Sequence, residues 1–97
     1  MNLYILNVSS SNLYSIPDGY DGVNLVTSQS PPLTNVTLTM PSSPSQFSSV
    51  LIVSDIQINN LLIQPNAGQT FLLPPPGSIV VGGVALYSFI GTQWTPI

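Results

Sequence analysis

Ten prolines and seven glycines are scattered through 97 residues, so the chain is interrupted every few positions. A helix needs a long stretch with apolar residues recurring every three or four positions, and proline inside it removes a donor and clashes with the preceding turn. Such stretches are hard to find here. Short alternating runs are easy to find, and they predict an all-β protein. Residues 34 to 40, TNVTLTM, place Val36, Leu38 and Met40 on one face and Asn35, Thr37 and Thr39 on the other. That is the period of a strand with one wet face. Pro41 and Pro44 then mark a loop, because proline cannot donate to a strand ladder.

The run FSSVLIVSD, residues 47 to 55, has a different pattern. Its centre, Val50 to Val53, is apolar without a break, which predicts a strand covered on both faces. In IQINNLLIQ, residues 56 to 64, Ile56 and Ile58 alternate with Gln57 and Asn59, and Asn59-Asn60 suits a bulge or tight turn. LIQPNAGQTF, residues 62 to 71, reads as a strand-connecting turn, with Gly68 free to take a positive φ. The prolines Pro74 to Pro76 form a rigid connector. SIVVGGVALYSFIG, residues 78 to 91, reads as a hairpin around Gly82-Gly83. In its second half Val84, Leu86, Ser88 and Ile90 share one face, and Ala85, Tyr87 and Phe89 share the other. NLYILNV and NLYSIP, starting at residues 2 and 12, echo each other too briefly to count as a repeat. The expected architecture is a small antiparallel β-sandwich or barrel-like module at residues 34–97. Residues 1–33 are expected to form an extended N-terminal arm, or strands for docking or exchange with a neighbour.

The charge inventory excludes several functions. There is no Lys, Arg, His or Glu, and the only charged side chains are Asp18, Asp21 and Asp55. Nucleic-acid binding rests on Lys and Arg neutralising phosphates, and attachment to anionic membranes rests on the same residues. Neither partner is expected. No apolar stretch approaches the twenty residues of a membrane helix; the longest, residues 77–91, holds Gly82 and Gly83. No cysteine is present, so disulfides and thiol chemistry are absent. Without His, Lys or Cys there is no base for work near neutral pH and no thiol nucleophile, so no enzyme, catalytic residue or cofactor is expected. DGYDGVN offers Asp18, Asp21 and Asn24 as oxygen ligands, but it lacks the EF-hand pattern and an Asp-Gly turn needs no metal. No metal site is expected. Asn7 and Asn35 sit in glycosylation triplets that arise readily in a chain this rich in Ser, Thr and Asn, and they are read as ordinary strand residues.

A free monomer usually keeps itself soluble with interspersed charge. A chain with 3% charged and 43% apolar residues is better suited to having much of its surface covered. Tyr4, Tyr14, Phe47, Phe71, Tyr87, Phe89 and Trp94 are the candidates for that role, since aromatic residues serve cores and interfaces alike.

From residue 34 onward the order of motifs resembles a β-rich module of tailed-phage virion proteins, of the kind found at the ends of tail fibres and appendages. The matching positions are Pro41 and Pro44, Ile52, the turn Asn66 to Gln69, Gly83, Tyr87, Gly91 and Trp94. Ser45-Gln46-Phe47 departs from the pattern, where a glycine often follows the second proline. The resemblance implies a homotrimeric virion component with no catalytic residues. A chain this short fits a capsid decoration, or cement, protein, with the major capsid protein or other virion proteins as partners. The capsid surface is then favoured over the tail. The alternative within the same resemblance is a tail-fibre or appendage tip that binds a host-surface glycan through exposed Tyr and Trp.

Overall fold

The computed structural model describes residues 2–97. Ten strands follow one another: β1 (Leu3–Asn7), β2 (Leu13–Ser15), β3 (Gly22–Val26), β4 (Leu33–Thr39), β5 (Ser49–Ser54), β6 (Ile58–Gln64), β7 (Thr70–Phe71), β8 (Ser78–Ile79), β9 (Val84–Ile90) and β10 (Gln93–Pro96). No helix occurs among the described residues, and the all-β expectation holds. The strands form a six-stranded large sheet, ordered β1-β3-β5-β9-β10-β7, and a four-stranded small sheet, ordered β2-β4-β6-β8.

The antiparallel expectation needs correction, because both sheets are mixed. β1, β3 and β5 run parallel in the large sheet, and β2, β4 and β6 run parallel in the small one. Parallel neighbours require a long crossover, which a helix usually supplies. Here the crossover is the strand of the opposite sheet. From β1 to β6 the chain passes from one sheet to the other at every strand, so it winds as a flattened coil of three rungs. Antiparallel pairing enters only toward the C-terminus, where β9 pairs with β5 and β10, and β8 pairs with β6.

The winding contains a repeat that the residue letters conceal. In the small sheet Leu13 lies beside Thr37, and Thr37 beside Leu62. The rungs SNLYSIP and NVTLTMP therefore stack with Pro17 beside Pro41, and NLLIQP stacks on them one residue shorter, so that its Pro65 falls beside Met40. One residue in each rung is left-handed: Ser11 (φ 61°), Asn35 (φ 57°) and Asn60 (φ 52°). Continuing the register back from Leu13↔Thr37 sets Ser11 beside Asn35, and Asn35 falls beside Asn60 between two registered pairs. This column is a shared corner. It displaces the alternation by one residue, so Leu33 and Val36 both face inward, as do Ile58 and Leu61. Asn tolerates this conformation where bulkier side chains do not. The bulge or tight turn expected at Asn59-Asn60 is instead a left-handed corner with no extra residue on either strand, and it is repeated one rung earlier.

The first 33 residues supply β1, β2 and β3, and Leu6, Val8, Ile16, Val23 and Leu25 are buried in the core. Neither sheet breaks at position 33, since β3 pairs with β5 and β2 with β4.

The core lies between the sheets. Val50, Ile52, Tyr87, Phe89 and Trp94 meet Val36, Leu38, Met40, Leu61 and Ile63 across it. The faces expected for β4 and for β9 are the observed ones. The Gly82-Gly83 hairpin is not observed. β8 stays in the small sheet while β9 begins in the large one, so these glycines carry the chain across the sandwich. A Cβ at Gly83 would come within 2.7 Å of Ile79 Cγ1 and 2.9 Å of the Val80 carbonyl oxygen, so the crossing has room only for glycine. The true hairpin is β9–β10, turning at Gly91 (φ 67°). It wedges between β5 and β7.

Candidate functional site

The aromatic candidates divide by location. Trp94 is wholly buried, and Tyr87 and Phe89 are nearly so. The Phe89 and Trp94 rings are 4.9 Å apart, and Phe71 meets Tyr87 edge-on at 5.3 Å. Tyr87, Phe89 and Trp94 therefore belong to the chain's own core. Phe71, Tyr4 and Tyr14 pack against that core half-buried. Only Phe47 stands free, at 75% exposure.

The turn at residues 65–69 seals the core. Gln69 is buried, and its side chain is fully engaged. Its Oε1 accepts from Trp94 Nε1 at 2.8 Å and from the Asn66 amide at 3.0 Å. Its Nε2 donates to the Pro41 carbonyl at 2.7 Å. Asn66 Nδ2 donates to the Met40 carbonyl at 3.2 Å. A buried amide is tolerated when every donor and acceptor finds a partner. The turn therefore pins rung two, through Met40 and Pro41, to the terminal hairpin through Trp94. The letters of the turn carried no hint of this, because the partners lie 25 and 28 residues away.

Phe47 aside, the exposed apolar surface is aliphatic rather than aromatic. Leu3, Leu51 and Leu86 form one row on the outer face of the large sheet, and Ile5, Val53 and Val84 form the next. Leu3, Ile5 and Val84 are 44%, 57% and 63% exposed. Leu51, Val53 and Leu86 are partly covered by their neighbours. The unbroken apolar run in β5 explains half of this pattern. Val50 and Ile52 face the core, whereas Leu51 and Val53 face out. The strand reads as covered on both faces, and the chain alone covers one.

Asn24 sits in the second row between Ile5 and Val53. Its Nδ2 reaches Asp55 Oδ2 at 3.3 Å. Its Oδ1 is buried with no hydrogen-bond partner. A buried acceptor without a donor costs about 1–3 kcal/mol, so Asn24 is a local cost within the sheet.

The opposite surface, on the small sheet, is mostly polar. Thr34, Asn35, Thr37, Thr39, Asn59 and Asn60 face outward, with Leu13 and Leu62 among them.

A recess of about 320 Å³ lies between the turn at residues 18–21 and the loop at residues 41–49. Both of its carboxylates bond to nearby chain. Asp18 accepts from Ser42 Oγ at 3.0 Å and from the Ser43 amide at 2.9 Å. Asp21 accepts from the Asn2 amide at 2.6 Å. Among the described residues no three His, Cys, Asp or Glu side chains gather in one place. Burial pushes the Tyr87 phenol above its ordinary value near 10.0.

Comparison with known proteins found no matching family model, no matching curated protein and no matching solved structure.

Proposed function

We propose that this chain is a structural protein of a phage virion, a capsid decoration protein that works by burying surface rather than by chemistry. The observation that carries this reading is the outer face of the large sheet. It presents Leu3, Ile5, Leu51, Val53, Val84 and Leu86 in register. An extended apolar surface on a folded chain marks an interaction site. At roughly 25 cal/mol per Å² of apolar area, covering even a few hundred Å² is a substantial gain, and it multiplies over a lattice of copies. The homotrimer implied by the resemblance and docking on the major capsid protein are two ways of covering this face. The glycan-binding alternative loses its strongest residue, because Trp94 is buried.

Imaging particles that carry a labelled copy of the protein tests the reading. Label spread over the head is the expected result. Label confined to the tail overturns the decoration role and restores the fibre-tip alternative.

A further inference from the structure

β1 is the outermost strand of the large sheet, and β2 the outermost strand of the small one. Both edges lie at the same end of the coil. In a parallel ladder alternate residues turn their backbone groups toward a given neighbour. The Val8 amide bonds to Val26, on the β3 side. Leu6 and Tyr4 share that phase, so Leu3, Ile5 and Asn7 turn their amide and carbonyl groups away from β3. In β2 the Asn12 carbonyl accepts from Thr37 and the Ile16 amide donates to Thr39. Leu13 and Ser15 are therefore the residues of β2 with outward backbone groups. Proteins usually blunt such edges with lysine, proline or an inward charge. Neither β1 (LYILN) nor β2 (LYS) of this chain has any of them; residue 15 is serine and the chain has no lysine at all.

We propose that the β1 edge pairs with the β1 edge of a second copy, antiparallel across a twofold axis through Ile5. The edge is self-complementary in this register. Ile5 faces Ile5 of the other copy, and Leu3 faces Asn7, so every residue with outward backbone groups meets another such residue. Those are the narrow, hydrogen-bonded pairs of an antiparallel ladder. The side chains agree as well. The outer apolar rows of the two large sheets join, and Tyr4 lies opposite Leu6 on the core side, extending both cores across the junction. The same axis brings the two β2 edges toward each other, where Leu13 is 77% exposed. Charge does not oppose the contact. Each Asp21 lies beside Asn2 at the start of β1, so the two carboxylates sit at opposite ends of the paired strands, about 20 Å apart at strand rise and beyond the screening length of physiological salt. The contact does not depend on the virion reading and is tested in solution.

Three measurements on the purified chain test it. Sedimentation at micromolar concentration is expected to give an even number of copies; a dimer supports the edge contact alone, and a hexamer supports it together with a trimer. A monomer or a lone trimer overturns the contact and leaves the decoration role standing. Ile5→Pro removes an outward amide without touching the β1–β3 ladder, and proline is tolerated at such an edge position. It is expected to halve the sedimenting mass, weakening association at least tenfold, with an unchanged circular dichroism spectrum. Undiminished association of this variant overturns the contact. Ile5→Cys places the chain's only thiols about 5.5 Å apart between Cα atoms, within disulfide range. Mild oxidation is expected to give a band of twice the chain mass on a non-reducing gel. Cross-linking of Val84→Cys in place of Ile5→Cys assigns the contact to the sheet face and overturns the edge.

Discussion

The two ends of the coil are built on opposite principles. At the C-terminal end a hairpin is wedged into the large sheet, Trp94 is wholly buried, and Gln69 ties its indole to the turn of the second rung. At the N-terminal end β1 and β2 are edge strands, with Leu3, Ile5 and Leu13 exposed. At the closed, C-terminal end the edge strands β7 and β8 are only two residues long each, and the buried Gln69 and Trp94 side chains satisfy their polar groups within the chain. The open end has backbone donors and acceptors with no partner among the described residues. Substitutions at the closed end should therefore change stability, and substitutions at the open end should change association.

The largest effect is expected from Trp94→Ala. Truncating a fully buried aromatic costs about 3–5 kcal/mol, and here it also leaves Gln69 Oε1 without one of its donors. Chemical denaturation checks this; a loss below about 1 kcal/mol would mean that the hairpin does not seal the core. Gln69→Leu is next. It leaves the Trp94 Nε1 group, the Asn66 amide and the Pro41 carbonyl without their partner, at about 1–3 kcal/mol for each group that stays dry. Asn60→Val forces a β-branched residue into the left-handed corner and should cost about 1–2 kcal/mol, whereas Asn60→Gly should be close to neutral. Ser11→Val makes the same change at the open end. A smaller loss there than at Asn60 would show that the rungs stiffen toward the closed end.

Stability against pH sharpens the same contrast. Tyr87 has a folded pKa raised by burial above its unfolded value. Its contribution is therefore complete below about pH 10 and is lost as the pH rises through the folded value. A denaturation midpoint that is flat from about pH 6 to 9 and falls above 10 is expected, and Tyr87→Phe should flatten the fall. The smallest effect on folding is expected from Ile5→Lys. An exposed edge substitution should shift unfolding by no more than about 0.5 kcal/mol, while association through that edge is lost in sedimentation.

The strands themselves were legible in the letters, because alternation is a local property of the chain. Val36, Leu38 and Met40 point inward as their spacing says, and so do Tyr87 and Phe89. Asn59-Asn60 was legible as a break in the strand, and it is a left-handed corner rather than a bulge, because few residues accept a left-handed backbone. The continuous apolar centre of β5 read as a strand covered on both faces, but the chain covers only the face with Val50 and Ile52 and leaves Leu51 and Val53 partly open. The direction of pairing was not legible. β3 lies beside β5 and β4 beside β6 only because each crossover is a strand of the other sheet, and no local pattern distinguishes that from a hairpin. The repeat was hidden for a related reason. Its corner needs a residue that tolerates a positive φ, and its inward positions need only apolar bulk, so SNLYSIP and NVTLTMP share a shape with almost no letters. The aromatic residues misled because ring size alone does not separate core from surface. Composition determined that this chain has only three charged side chains, all aspartates, and no side chain that ordinarily titrates near neutral pH. Only the tertiary structure decided which aromatics are sealed inside, which aliphatic face lies open, and that Gln69 closes the core, since each depends on contacts between residues far apart in the chain.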